Sequence, residues 1–349
     1  APINTPYDDG TPVISSDGLE MFIVSDRPGG YGQWDIWVSK RTTMGDDWGP
    51  PMNTGPQVNT GSGENPGSLS ADGLTLYFSS DRSGTHGSWD LYAATRPTRD
   101  GSWGPAVNLG PVVNSPGYDE LASVSADGLE LIFTSNRTGG LGDMDLWVSM
   151  RQSVADLWGP PTNLGWGINT SGWESMGCLS PDGLRLFFLS RRSSRPTGFG
   201  GIDAWTATRP ARNAAWGTPA LLDEPLNSSY CDWVCGLSPD GSFLYLDDSA
   251  ALRPVGVGRS DVWRVPVIPV VDFNGDGQVE GRDLLTMIGE LGGSDAICDI
   301  GPYAWGDGMV DAKDLTVLAG YIGKEIEDPT LVAHWAFDET EGSVAMDSA

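Results

Sequence analysis

The 349-residue sequence has no long apolar run, few basic residues and almost no histidine. Its apolar stretches are short and broken by proline or glycine, as in Val265-Pro-Val-Ile-Pro-Val-Val271, far below the roughly 20 residues of a membrane-spanning helix. Membrane insertion is therefore not expected, and a membrane role would need an anchor outside this chain. Only 20 Lys plus Arg stand against 47 Asp plus Glu, a formal charge of −27. Such a surface cannot displace counterions from a nucleic-acid backbone, so cations and neutral or basic ligands are the better-matched partners. Histidine occurs only at 86 and 334, and Cys178, Cys231, Cys235 and Cys298 show no paired zinc spacing. Four cysteines permit disulfides in an oxidising compartment, with small buried thiols as the plainer reading. There is no Gly-x-Ser-x-Gly elbow, phosphate-binding loop or zinc-protease helix motif. No leader-like segment opens the chain, so Ala1 is expected to begin a mature or trimmed form.

What the sequence does have is glycine (48), proline (25) and tryptophan (15), a composition suited to many short strands and tight turns. Asp17, Asp72, Asp127, Asp182 and Asp240 each precede glycine in a Ser-x-Asp-Gly turn, at separations of 55, 55, 55 and 58 residues. Runs such as Leu74-Thr-Leu-Tyr-Phe78 and Leu129-Glu-Leu-Ile-Phe133 flank these turns and read as hairpin strands. Each unit continues with Ser-(Asp/Asn/Arg)-Arg, a glycine-rich loop, a third strand with Asp-x-(Trp/Tyr), and a fourth announced by Trp-Gly-x-Pro.

Four short strands per repeat predict propeller blades, each of which buries its faces only against its neighbours. Ser-Pro-Asp-Gly at 180–183 and 238–241, Ser-Asp-Arg at 25–27 and 80–82, and Asp35-Ile-Trp37 resemble the WD40-like repeat of TolB-type propellers. The resemblance covers residues 1 to about 265 and implies an all-β propeller, while leaving function open because that fold serves many purposes. Five blades are expected, at about 1–55, 56–110, 111–165, 166–223 and 224–268, with further upstream blades as the alternative. The fifth has no Trp-Gly-x-Pro strand, and its missing strand is expected just upstream of Ala1.

Asn4, Asn59, Asn114, Asn169 and Asn227 are each followed five residues later by Asp9, Glu64, Asp119, Glu174 or Asp232. A ring of carboxylates at the channel mouth would hold a cation or sugar hydroxyls, with Glu174 and Asp232 as candidate acid and base for glycoside cleavage. The plainer reading is a structural bond that every blade needs. Arg27, Arg82, Arg137 and Arg192 end the second strands and are expected to pair with Asp35, Asp90, Asp145 and Asp203 at the start of the third. Blade five has Ala250 in place of this arginine. Symmetry breaks most in blades four and five, where an enlarged loop from Arg191 to Gly201 carries Arg195 and Phe199, and Trp166, Trp173, Tyr230 and Trp233 lie in nearby connections. Aromatic faces stack on sugars and arginine binds carboxylate or sulfate, which makes Trp173, Arg191, Arg195 and Trp233 candidate ligand residues. The plainer reading is that the aromatic rings fill gaps between blades.

Residues 269–326 change character. Asp272, Asn274, Asp276, Gln278 and Asp283 occupy positions 1, 3, 5, 7 and 12 of a calcium loop, with Gly277 at the sharp turn. With the following Leu284–Leu291 segment, this resembles the first half of a type I dockerin, and Asp307 to Asp314 plus Leu315–Ile322 the second. In the second loop Tyr303 and Trp305 stand where carboxylates belong, and Asp299 is the substitute candidate beside Asp307 and Asp314. The resemblance implies calcium and a cohesin partner; a calcium-stabilised spacer is the alternative. Residues 327–349 resemble the opening of a laminin-G or concanavalin-like lectin domain, too short to close a sandwich. Together these features lead to the expectation of an extracellular or cell-surface monomer that binds a polysaccharide or surface protein without cleaving it. A secreted glycan-cleaving enzyme is the alternative.

Overall fold

The structure is a computed structural model that describes residues 3–192, 202–222, 227, 232–239, 241, 243–248, 260–266, 271, 273, 278–293, 298, 300–301, 309–323 and 335–336. Its strands form five antiparallel sheets. Blade one contains β1 (Asp9–Ile14), β2 (Glu20–Ser25), β3 (Asp35–Lys40) and β4 (Met52–Asn53). Blade two contains β5 (Glu64–Leu69), β6 (Thr75–Ser80), β7 (Asp90–Thr95) and β8 (Val107–Asn108), and blade three β9 (Asp119–Val124), β10 (Glu130–Ser135), β11 (Asp145–Met150) and β12 (Thr162–Asn163). Blade four contains β13 (Glu174–Leu179), β14 (Arg185–Ser190), β15 (Asp203–Thr208) and β16 (Ala220–Leu221). Blade five has three full strands of its own, β17 (Asp232–Leu237), β18 (Phe243–Asp248) and β19 (Asp261–Pro266).

The Ser-x-Asp-Gly turn works by local hydrogen bonding. Gly18 takes φ +70°, Ser15 Oγ donates to Asp17 Oδ1 (2.6 Å), and Ser15 Oγ accepts from the Glu20 amide (2.9 Å). A side chain at Gly18 would be strained in this left-handed conformation. The Trp-Gly-x-Pro tryptophans have a shared role as well. Trp48, Trp103, Trp158 and Trp216 each lie under the guanidinium of Arg41, Arg96, Arg151 or Arg209 at 4.1–4.5 Å, and each of these arginines also donates from Nε to the carbonyl of its own turn glycine.

The first strands β1, β5, β9, β13 and β17 touch one another around the axis, and apolar clusters fill each blade junction. The repeated asparagine explains how blades join. Asn59 Oδ1 accepts from the Ile36 amide and its Nδ2 donates to the Ile36 carbonyl, both at 2.9 Å, so one side-chain amide imitates a strand neighbour. Asn114 grips Leu91, Asn169 grips Leu146 and Asn227 grips Ala204 in the same way. Asn4 does this to Val262 of blade five (2.8 and 3.0 Å), and the Asp9 amide bonds the Ser260 carbonyl (3.0 Å). The ring therefore closes on itself as five blades.

The fourth place in blade five departs from expectation. It is filled from the far end of the chain by β20 (Trp335–Ala336), which pairs with β19 in the register that β4 takes on β3. β19 presents an open edge of backbone groups, and any segment in extended conformation can satisfy it. The rest of residues 327–349 lies outside the described residues.

Beyond the blades, α1 (Gly281–Gly289) and α2 (Ala312–Ala319) share a small core of Val271, Val279, Met287, Ile300, Val310 and Leu318. Both helices open on a capping box, from Glu280 to Asp283 and from Asp311 to Asp314. The turn after each helix bonds the strand-like residue ahead of the other, Gly292 N to Val310 O (2.9 Å) and Gly323 N to Val279 O (2.8 Å). The two halves are thus related by an approximate two-fold.

Candidate functional site

First strands start on one face of the propeller, which also carries the glycine-rich loops between second and third strands. The opposite face carries the Ser-x-Asp-Gly turns. These are called the loop face and the turn face below.

The repeated carboxylates sit at the loop-face end of the first strands, but inside the blades. Asp9, Glu64, Asp119 and Glu174 are fully buried. Arg27 Nη2 donates to Asp9 Oδ1 (2.5 Å) and to the Ile3 carbonyl (2.6 Å), and Asp9 Oδ2 accepts from the Thr5 amide (2.7 Å) and hydroxyl (2.6 Å). Arg82 with Glu64 and Arg137 with Asp119 repeat the pairing. Glu174 accepts from the Thr170 amide (2.8 Å), the Thr170 hydroxyl (2.7 Å) and Ser190 Oγ (2.7 Å). Arg192, below it, donates to Ser190 and to the carbonyls of Gly167 and Ile168. For Glu64, burial outweighs its donors Thr60, Ser80 and Arg82 and pushes its carboxyl upward. Asp232 lies in β17, with its side chain outside the described residues.

These bonds correct the expected arginine partners. In blades one to three the aspartate that opens the third strand holds the glycine-rich loop instead: Asp35 accepts from the Tyr31 (2.5 Å) and Gly32 (3.2 Å) amides, Asp90 from the His86 (2.7 Å) and Gly87 (3.0 Å) amides, and Asp145 from the Leu141 amide. Pairing across the loop loses because the arginine, folding back along its own strand end, meets the first-strand carboxylate directly. Ala250 lies outside the described residues.

Of the aromatic cluster in blades four and five, Trp173 and Trp233 meet edge to face at 6.0 Å, and the Arg191 guanidinium lies 5.3 Å from the Trp173 ring centre. Trp166, in the loop before β13, is 74% exposed. Tyr7, Tyr31, Trp34 and Tyr118, all in loop-face connections, are also exposed. Arg195, Phe199 and Tyr230 lie outside the described residues.

One residue here escaped the sequence reading. Glu120 follows the ring carboxylate of blade three, where the other blades have Gly10, Asn65, Ser175 and Trp233. Burial, with the neighbouring Asp119 charge, pushes its carboxyl up to about 7. The available signal was an acidic residue present in one blade alone.

On the turn face the axis holds a cavity of about 310 Å³ lined by neutral, mostly small residues such as Ser68, Ala71, Ser123, Cys178, Gly236 and Ser238. Burial pushes the Cys178 thiol up to about 11, so it remains protonated and unreactive at neutral pH. Cys178 and Cys298 are thiols outside any disulfide, whereas the side chains of Cys231 and Cys235 lie outside the described residues.

In the helical module, Asp283 and Asp314 are buried. Asp283 accepts from the Phe273 and Glu280 amides (both 2.9 Å), and Asp314 from the Ile300 (2.7 Å), Gly301 (2.6 Å) and Asp311 (2.6 Å) amides. Gln278 is exposed. Asp272, Asn274, Asp276, Asp299 and Asp307 lie outside the described residues. Among the described residues no group of three or more His, Cys, Asp or Glu gathers as a metal site.

Neither a family model nor a curated protein matches the chain. Solved structures do. TolB from Acinetobacter baumannii aligns at 19% identity and TM-score 0.41 over 73% of this chain, which spans 53% of that one. A putative TolB from Agrobacterium tumefaciens aligns at 17% and 0.45 over 75% of this chain and 78% of its own. An exo-β-1,3-galactanase from Clostridium thermocellum aligns at 13% and 0.49 over 76% and 62%. The five antiparallel sheets make the chain a five-bladed β-propeller.

Proposed function

We propose that this chain is an extracellular glycan-binding protein whose propeller holds a polysaccharide on its loop face without cleaving it. The observation that carries this reading is the aromatic rim. Trp173 and Trp233, braced by Arg191 and partly buried against the apolar cluster of Met176, Leu189 and Leu244, share the loop-face side with Tyr7, Tyr31, Trp34, Tyr118 and Trp166, which are exposed. Flat exposed rings suit the apolar faces of sugars.

Cleavage by the usual route needs two carboxyl groups flanking the scissile bond. The oxygens of Asp9, Glu64, Asp119 and Glu174 are held by their own blades, and at the position of Glu120 blades one, two and four offer Gly10, Asn65 and Ser175. A panel of soluble polysaccharides, scored for binding and for products, is expected to yield binding alone. Trp173→Ala and Trp233→Ala should each weaken it by about tenfold or more, the scale of a lost stacking platform. Products from the wild type would establish an enzyme, and no binding across the panel would remove the glycan reading.

The helical module is proposed to be calcium-stabilised through Asp272, Asn274, Asp276, Gln278 and Asp283, acting as a spacer or as a docking element for a cohesin-like partner. Asp272→Ala should lower the melting temperature in calcium and leave it unchanged in chelator, because a ion bound only by the folded form stabilises it by mass action. Equal effects in both conditions would remove the metal site.

A further inference from the structure

The turn-face cavity on the axis is walled by all five blades, and the described residues that line it carry no charge, in a chain of net charge −27. Its volume of about 310 Å³ has room for about ten water molecules. One repeated place breaks the symmetry of this wall. Val13, Ser68, Ser123, Cys178 and Gly236 each stand next to last in their first strands, whereas the place after them is always Ile, Leu or Val.

In part of the ring this place serves the neighbouring blade. Ser68 Oγ accepts from the Val124 amide of the next blade (2.9 Å), and the Leu237 amide bonds the Cys178 sulfur in the same sense. Ile14 and Leu69 hold the register on Met21 and Leu76 that Val124 holds on Leu131, so their amides also face the channel. Their carbonyls face the same way, because an antiparallel strand turns both backbone groups of one residue to one side. The side chains placed to receive these two amides are Gly236 and Val13, which have no acceptor to give. Ser123 has one, yet its hydroxyl makes no hydrogen bond with a described residue. Polar groups of this kind in a cavity wall call for water or a ligand.

We infer that the turn-face cavity is a binding site for one uncharged monosaccharide. It shares no residue with the loop-face rings and goes beyond the reading built on them. A sugar hydroxyl both donates and accepts, which suits edge amides, edge carbonyls and the Ser123 hydroxyl together. The ring's apolar faces suit Ile14, Leu69 and Val124, and a pyranose has about as many heavy atoms as the cavity has room for waters. A charged ligand would lose its water here without meeting an opposite charge.

The test is calorimetric titration of the full chain with glucose, galactose, mannose and xylose, set against glucuronate and glucosamine. At least one neutral sugar is expected to bind, about tenfold or more tighter than either charged one. Gly236→Met is the blocking variant. Among the described residues a Cβ at Gly236 would meet only Cys178 Sγ and the Pro12 carbonyl, both at 3.9 Å, an ordinary contact, and the rest of the side chain takes up the cavity. Neutral-sugar binding should weaken about tenfold or more in this variant and about threefold in Ser123→Ala, with polysaccharide binding on the loop face unchanged in both. Thermal melting shows whether each variant is folded; should Gly236→Met not fold, full-strength binding in Ser123→Ala overturns the site. It is also overturned if no neutral sugar binds, if charged sugars bind alike, or if binding survives Gly236→Met, whatever the polysaccharide panel gives. Loss of polysaccharide binding together with monosaccharide binding in Gly236→Met would mean one continuous site and overturn a separate one.

Discussion

Replacing Arg137 with alanine is expected to destabilise the propeller by about 3–5 kcal/mol, the range for removing one partner of a buried ion pair. Arg137 donates to Asp119 and to the Val113 carbonyl (2.6 Å), receives support from Ser135 Oγ (2.9 Å), and lies over the rings of Phe133 and Trp147. Asp119 is fully buried, so its charge would lose its partner without gaining water. Adding Asp119→Asn to Arg137→Ala should recover part of the loss by removing that charge. Arg99→Ala offers the contrast. Its partner Asp17 and its own guanidinium are each about a third exposed, at 37% and 32%, and water replaces such a bridge at a cost of about 0–1 kcal/mol. Urea unfolding of the three variants would show whether burial sets the difference; equal losses for Arg137→Ala and Arg99→Ala would contradict it.

Glu120→Gln is expected to change stability in a pH-dependent way, by on the order of 2–3 kcal/mol between acid and mildly alkaline solution. The Glu120 carboxyl titrates near 7 in the folded chain against an ordinary value of 4.5. A raised value means that the folded state binds the proton more tightly. The protonated group therefore favours folding below about 4.5, and that contribution disappears as pH rises through about 7. Glutamine has no proton to lose. The variant should gain on the wild type across this window and run parallel to it outside. Unfolding curves at several pH values test this; a constant offset between the two proteins would mean that Glu120 titrates near its ordinary value.

Much of the architecture was legible because it repeats. The Ser-x-Asp-Gly spacing located every hairpin, since its serine, aspartate and glycine act on backbone atoms within five residues. Five blades followed from five copies. Local chemistry of this sort needs no knowledge of what lies across the fold. The capping boxes at Glu280 and Asp311 belong to the same class.

Partners distant in sequence were harder. Asn4 and Val262 stand 258 residues apart, and only ring closure brings that asparagine onto blade five. The arginine at the end of each second strand had two acidic candidates in its own blade, and strand-end geometry selected Asp9 over Asp35. Trp335 and Ala336 complete the fifth sheet because β19 has a free edge, a fact invisible in residues that read as the start of another domain.

By itself the sequence determined the blade unit, its number and the two-helix appendix, because turns, caps and strand periodicity are set by neighbours along the chain. Tertiary structure alone decided which carboxylates are consumed and which remains unfilled. Asp9, Glu64, Asp119 and Glu174 look like a binding ring in the sequence and become buried bonds, whereas Glu120, one residue beyond Asp119, accepts no hydrogen bond from a described residue and has its carboxyl pushed upward. The physical reason is that successive residues of a strand face opposite ways, so a shift of one place turns a side chain from one face of its blade to the other.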